Sequence, residues 1–202
     1  MERNNAGTFS ILSISPDSKL LGVAVASGST SVGDRVPHAK PGIGVIATQA
    51  QTNIAYGIKG LELLEKGLTP KEALDKLLME DRQKELRQVA IMDFKTRKAA
   101  FTGVKASDFR GEVVGKDYIA IGNLLTGEEV VNSMAKEFEN SSGNLALRLS
   151  MALKAGSESG GDMRGEKSAA LIVVSATKVE TKIRIDIHEN PIAELLRRLC
   201  IP

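Results

Sequence analysis

The sequence predicts an α+β fold: a four-layer αββα sandwich of two packed, mainly antiparallel sheets flanked by helices. Three observations carry this reading. Strand-like runs come in neighbouring pairs joined by short turns, so hairpins dominate and the strand–helix alternation of a parallel sheet does not occur. Amphipathic helices fall in pairs between those hairpins. Several strand runs are nearly continuous in apolar residues, as strands inside a sandwich core are.

Taken in order, residues 8–15 (Thr-Phe-Ser-Ile-Leu-Ser-Ile-Ser) alternate apolar and polar and read as a strand. Pro16-Asp17-Ser18 is a turn, because proline fixes φ and Asp bonds its own backbone. Leu20 to Ala26 closes the hairpin. Ser27 to Lys40 is small and polar, with Gly28, Gly33 and Pro37, and reads as an irregular loop. Gly42 to Gln49 is a third strand. Ile54, Ile58, Leu61 and Leu64 recur at helical spacing, which predicts a helix from Asn53 to Glu65 with Gly67 as its stop. Thr69-Pro70-Lys71-Glu72 opens a second helix with a capping box, continued by Ala73, Leu74, Leu77 and Leu78. Gln88 to Asp93 and Ala99 to Gly103 form another hairpin, and Val113-Val114 and Tyr118 to Ile121 are short strands. Two amphipathic helices, Glu128 to Phe138 and Leu145 to Ala155, are separated by Asn140-Ser141-Ser142-Gly143. Ser168 to Ser175 pairs with Thr181 to Ile187, and Pro191 to Leu199 is a terminal helix. No repeat or linker divides the chain, so residues 8–202 read as one domain behind a leader of residues 1–7.

Composition narrows the function. A net charge of +2, from 27 basic and 25 acidic residues, is too balanced to argue for nucleic acid or an anionic membrane. With no Trp and two Tyr there is no stacking platform for single strands. Cys200 is the one cysteine, which excludes an internal disulfide and fits a reduced, cytoplasmic setting. No apolar run has the length of a membrane helix, and the N-terminus lacks the apolar stretch of a secretion signal. Cofactor and metal signals are equally thin. Gly42-x-Gly44-x-x-Ala47 lies within a strand rather than in a strand–turn–helix context, and His38 and His188 are too few for a zinc site. The expected ligand is a small-molecule or peptide-like substrate, with no cofactor and no metal, on a homo-oligomer.

Gly160-Gly161-Asp162-Met163-Arg164-Gly165 is the most informative stretch. It sets an acid and a base in a glycine-rich turn that feeds the apolar strand beginning at Ser168. Glycines let backbone approach backbone or ligand closely, and loops on a rigid scaffold carry function. Thr8, at the head of the first strand, is the second notable feature and a candidate nucleophile.

These same residues carry a resemblance. The Thr-Phe-Ser-Ile start, Gly-Val-Ala-Val-Ala-Ser at 22–27, Gly-Ile-Gly-Val-Ile-Ala-Thr-Gln at 42–49, Asn53 with Tyr56-Gly57, Gly122-Asn123-Leu124, Gly160 to Leu171 and Asp186 to Pro191 together resemble the domain of unknown function 1028 family. The resemblance runs from about residue 8 to the end. It implies the N-terminal-nucleophile (Ntn) hydrolase superfamily, an αββα sandwich and amide-bond hydrolysis. Two positions depart from the family pattern: the leader Met1 to Gly7 precedes Thr8, and Lys167 stands where Gln is often found.

In an Ntn hydrolase the nucleophile is also the free N-terminus, and its α-amine, with a pKa near ~8, serves as base for its own hydroxyl. The resemblance assigns this role to Thr8, once cleavage at Gly7-Thr8 exposes it. Lys40 follows Thr8 by 32 residues, a spacing that resembles the proteasome lysine that lowers the nucleophile's proton affinity. Asp162 and Arg164 would orient the amine or clamp a substrate carboxylate, for which the planar arginine fork is suited; an internal salt bridge that shapes the glycine-rich turn is the other reading of the pair. Ser168 would donate toward the amine, and Ser27, at the end of the second strand, would face the site. Gln49 and Asn53 sit at the corner after the third strand, where backbone N–H groups form an oxyanion hole; Asn53 equally suits a helix N-cap. Two other readings stay open: a non-catalytic ligand-binding module on the same scaffold, and a hydrolase with an internal nucleophile such as Ser27 or Ser168.

Overall fold

A computed structural model describes residues 7–200 of the chain. All of the leader except Gly7 lies outside the described residues. The first hairpin is β1 (Thr8–Ile14) and β2 (Leu21–Ser27), and the second is β3 (Pro37–Lys40) and β4 (Gly44–Ala50). Helices α1 (Ile54–Glu65) and α2 (Pro70–Glu80) follow. Next come β5 (Arg87–Asp93), β6 (Lys98–Thr102), β7 (Gly111–Val114) and β8 (Tyr118–Asn123). Then α3 (Glu129–Asn140), α4 (Leu145–Glu158), β9 (Ser168–Val174), β10 (Val179–Ile185) and α5 (Pro191–Leu199) complete the described chain.

The described residues form a mixed α+β structure with two antiparallel sheets and five α-helices. One sheet has six strands in the order β10-β9-β2-β1-β8-β7, and the other has four in the order β3-β4-β5-β6. Register in the larger sheet matters for the site. Ser168 lies opposite Ser27, Ser27 opposite Thr8, and Thr8 opposite Asn123, so four polar residues form one row across four strands. In the smaller sheet, Gln49 lies opposite Gln88.

Burial explains the apolar runs. Phe9, Ile11, Ala24 and Leu171 of the larger sheet pack against Val130, Met134, Leu149, Leu153 and Leu195 of α3, α4 and α5. The alternate residues Leu12, Val23, Val25 and Ile172 share a core with Val45, Ala47, Ala90 and Met92 of the smaller sheet. Ile46, Val89 and Ile91 on its other face meet Tyr56, Leu64, Leu74 and Leu77 of α1 and α2. Every residue of β1, β2 and β9 is buried, which fits strands covered on both faces.

Local chemistry sets the ends of the elements as the sequence predicts. Asn53 caps α1 by accepting from Ala55 N, and Thr69 and Glu72 form the capping box of α2. Gly67 takes φ +95° just after α1, a conformation open to glycine at little cost. The polar positions of the β1 alternation are not exposed: Ser10 and Ser13 are fully buried and hydrogen-bonded. The segment 27–40 is not wholly irregular either, since it holds a 3-10 turn at Val32–Asp34 and the edge strand β3. Its starting proline hides β3 from a propensity reading, although edge strands tolerate proline.

Candidate functional site

Thr8 begins β1 almost completely buried, 3% exposed. Its Oγ1 donates to the Gly7 carbonyl oxygen at 2.6 Å. Ser27 Oγ donates to the same oxygen, also at 2.6 Å, and lies 3.1 Å from Thr8 Oγ1. The Gly7–Thr8 peptide bond therefore has its carbonyl polarised by two hydroxyls, one of which belongs to the next residue. Ser29 Oγ continues the chain of hydroxyls, 3.0 Å from Ser27 Oγ.

Beneath Thr8 lies a polar floor that joins the two sheets. Gln49, fully buried, donates through Nε2 to Thr8 O at 2.9 Å and to Gln88 Oε1 at 2.8 Å. Its Oε1 accepts from Ser10 Oγ at 2.6 Å. Asn123 Nδ2 donates to Gln88 Oε1 at 3.1 Å and reaches Thr8 O at 3.4 Å. Gln88 Nε2 is within hydrogen-bond reach of Gly122 O, Gly111 O and Thr102 Oγ1. A buried amide network of this kind rigidifies when it is fully satisfied.

Asp162 forms the wall beside Gly7. Its side chain is wholly buried, and Oδ2 accepts from Gly28 N at 2.6 Å while Oδ1 accepts from Arg164 N at 3.0 Å. The Arg164 guanidinium adds an ion pair at 3.2 Å with its own side chain 40% exposed, so it bridges the buried carboxylate to solvent. Thr126 N donates to Gly161 O and Met163 N to Leu124 O, which stitches the glycine-rich turn to residues 124–126. Close approach explains the glycine before Thr8. A Cβ at Gly7 would stand 2.5 Å from Asp162 Oδ2 and 2.7 Å from Leu124 O.

Thr8 opens onto a cavity of about 390 Å³. Ser29, Thr30 and Arg35 form one side and Ala50, Gln51 and Thr52 the other. Arg35 Nη1 donates to Thr30 O at 2.8 Å and to Ser31 O at 3.2 Å, and Nη2 donates to Ser29 Oγ. Burial pulls the Arg35 guanidinium below the usual arginine range, and the charge of Asp34 opposes this. Ala50 in the cavity wall has φ 66°, and Ser31 and Leu124 nearby have φ 54° and 50°.

The candidates read from the sequence divide accordingly. Thr8, Ser27, Gln49 and Asp162 converge, and Arg164 attaches to Asp162. Ser168 does not reach Thr8. Its Oγ donates to Ser29 O at 2.6 Å and accepts from Val32 N at 3.1 Å, holding the loop that carries Ser29. Asn53 caps α1 and borders a separate, smaller cavity with Tyr56 and Asp81. Lys40 stands apart from the group. It pairs in register with Gly44, at the end of β4 remote from Ala50, and bonds Glu65 Oε2 at 2.6 Å. Seven-residue β4 separates its ends by about 20 Å at the usual strand rise. The spacing from Thr8 misleads because β3 runs away from the site. Arg35 is instead the cation in the cavity wall, and it and Gln88 carry no motif that marks them; Asn123 falls within one of the stretches that carry the family resemblance.

The fold and site together define an α+β protein whose first strand presents a threonine beneath a polarised peptide bond. The chain belongs to the family of unknown function DUF1028, whose model matches residues 8–195. It is similar to the crystal structure of protein SPO2555 from Silicibacter pomeroyi, a DUF1028 protein. The TM-score is 0.89 at 34% identity, over 96% of this chain and 84% of that one. Anbu (ancestral beta-subunit) from Yersinia bercovieri matches at TM-score 0.44 and 10% identity, over 95% and 92% of the two chains. An Anbu (Gly-1) mutant from Hyphomicrobium sp. strain MC1 matches at TM-score 0.44 and 11% identity, over 95% and 94%. No curated protein matches the chain. Among the described residues, no helix is long and apolar enough to cross a membrane.

Proposed function

We propose that this protein is an Ntn-type amidohydrolase, one αββα domain over residues 8–202, acting on a small or peptide-like amide. Thr8 is its nucleophile once the leader through Gly7 is released. The observation that carries the reading is the Gly7 carbonyl oxygen accepting 2.6 Å hydrogen bonds from both Thr8 Oγ1 and Ser27 Oγ. The family match beginning at Thr8 supports the same junction.

The chemistry follows in balanced steps. Thr8 Oγ1 attacks the Gly7 carbonyl carbon while Ser27 stabilises the oxygen that gains charge. The hydroxyl proton passes to the Thr8 nitrogen as the C–N bond breaks, leaving a Gly7 ester on Oγ1 and a free α-amine. Water hydrolyses the ester and releases the leader carboxylate. The free amine, with a pKa of about 8, then takes the Thr8 hydroxyl proton as Oγ1 attacks a substrate carbonyl. That proton leaves with the departing amine, and water cleaves the acyl ester. Gln49 and Asn123 hold Thr8 by its carbonyl, and in this reading Asp162, buried beside Gly7, orients the new amine. Ser168 makes a poor nucleophile, because its proton and a lone pair are committed to the loop.

Intact mass and N-terminal sequencing of the untagged protein test this. The expected product starts at Thr8, and Thr8→Ala keeps its leader. Full retention of Met1 to Gly7 in the native sequence would overturn the mechanism.

A further inference from the structure

Arg35 borders the cavity that Thr8 heads, outside any ion pair among the described residues and with only the through-space charge of neighbouring Asp34 acting on it. Its three acceptors, Thr30 O, Ser31 O and Ser29 Oγ, are neutral. They fix the plane of the guanidinium without neutralising it. Among the described residues no carboxylate pairs with Arg35. Neighbouring Asp34 is bound instead by Arg184, which also holds Asp186. Asp162 is committed to Gly28 N and Arg164. The remaining lining is hydroxyl-bearing residues, Gln51 and one alanine, so the cavity offers a cation and polar groups without a large apolar side chain. A guanidinium held in plane presents a fork that matches a carboxylate, and partial desolvation strengthens the pairing.

We infer that Arg35 receives the carboxylate of an acidic amide substrate, one whose free carboxylate lies a few bonds from the carbonyl attacked by Thr8. This rests on the amidohydrolase reading above. Half-amides of short dicarboxylic acids and acidic residues within peptides share this chemistry. A neutral or cationic substituent would leave Arg35 unpaired or repelled.

Two measurements on the purified full chain separate this inference from the reading beneath it. The first is calorimetric titration with glutarate and with neutral glutaramide. Glutarate is expected to bind at least tenfold more tightly than glutaramide. Arg35→Gln should lose at least tenfold of the glutarate affinity, and Arg35→Lys should keep part of it. Equal binding of the two probes, no binding of glutarate, or unchanged affinity in Arg35→Gln with a native melting temperature would overturn the inference. The second is hydrolysis of the p-nitroanilide half-amide of glutaric acid, of butyryl p-nitroanilide, and of a peptide anilide ending in glutamate. The acidic substrates should exceed the neutral one at least tenfold in kcat/KM, and Arg35→Gln should lower that acidic-to-neutral ratio at least tenfold. A higher rate on the half-amide assigns the carboxylate to a small molecule, and a higher rate on the glutamyl peptide assigns it to a peptide. Equal hydrolysis of acidic and neutral amides refutes the inference and leaves Thr8 chemistry standing. Arg35-dependent glutarate binding without hydrolysis by a chain starting at Thr8 refutes the amidohydrolase reading and keeps the carboxylate site.

Discussion

Gln49→Leu tests the polar floor beneath Thr8. Leucine is close to glutamine in volume, so the substitution chiefly deletes three hydrogen bonds rather than opening a cavity. The Ser10 hydroxyl loses its acceptor, at 2.6 Å in the native protein. Thr8 O loses a 2.9 Å side-chain donor, while the 3.4 Å approach of the Asn123 side chain and the pairing of Thr8 with Asn123 in the sheet remain. Gln88 Oε1 retains Asn123 at 3.1 Å and suffers least. One orphaned buried donor and one weakened buried acceptor, at about 1–3 kcal/mol each, predict a loss of about 3 kcal/mol. For a chain of this size that lowers Tm by roughly 6–12 °C. Adding Ser10→Ala removes the orphaned hydroxyl, so the double variant should recover about 1–2 kcal/mol, a coupling expected only of groups in contact. Urea unfolding of the native protein, both single variants and the double variant supplies all four corners of the cycle. A Gln49→Leu loss below about 0.5 kcal/mol, or strictly additive variants, would refute the claim that this network is satisfied and structural.

Other expectations follow from the same geometry. Gly7→Ala would place a methyl 2.5 Å from Asp162 Oδ2 and should displace it from Gly28 N in the chain that still carries its leader; the loss of one charge-assisted bond there, about 1.5–3 kcal/mol, is read by melting of the uncleaved Thr8→Ala background with and without Gly7→Ala, and a slowed release of the leader by intact mass. Lys40→Ala should change stability by less than about 1 kcal/mol and leave leader release unchanged, because the Lys40–Glu65 pair is exposed and remote from Thr8. Burial holds the His38 imidazole below its ordinary pKa of 6.5, so the unfolded chain takes up a proton more readily than the native one. His38 therefore contributes stability above pH 6.5 that is lost as pH falls through its lowered pKa, and His38→Gln should flatten the stability profile between about pH 7 and 5.

The scaffold is legible in the sequence wherever local rules agree with the tertiary outcome. The Thr69–Glu72 box, the Asn53 cap, the Pro16 turn and the paired apolar runs all describe the fold found. Thr8, Ser27 and Asp162 were legible because a threonine heading a strand and a carboxylate in a glycine-rich turn are unusual locally. The cation was not legible. Distance along the chain favours Lys40, yet chain distance does not reveal which way a strand runs. The direction of β3 depends on its pairing with β4, a contact that its short, half-exposed sequence does not announce. Gln88 was hidden for another reason. A lone glutamine in a strand looks like a solvent-facing residue, and only the register with Gln49 makes it half of a buried pair.

Where the local rules fail is itself informative. Three non-glycine residues take left-handed φ around one end of the sheets: Ser31, Ala50 and Leu124. Leu124 O would stand 2.7 Å from a Cβ placed at Gly7, Ala50 lines the cavity with Thr8, and Ser31 O holds Arg35. Each such conformation costs about 1–3 kcal/mol. The same end holds the buried Thr8, Ser27, Gln49, Gln88, Asn123 and Asp162, whereas the central core between the sheets is apolar. A chain selected for stability alone would place neither strain nor buried polar groups there, since apolar residues of similar shape would serve at lower cost. Strain, buried polarity, a cation outside any ion pair among the described residues and a cavity coincide at the first residue of the family match. That coincidence is the physical reason to look for chemistry at Thr8 and not at the second cavity beside Asp81, where Tyr56, Asp81 and Arg87 satisfy one another.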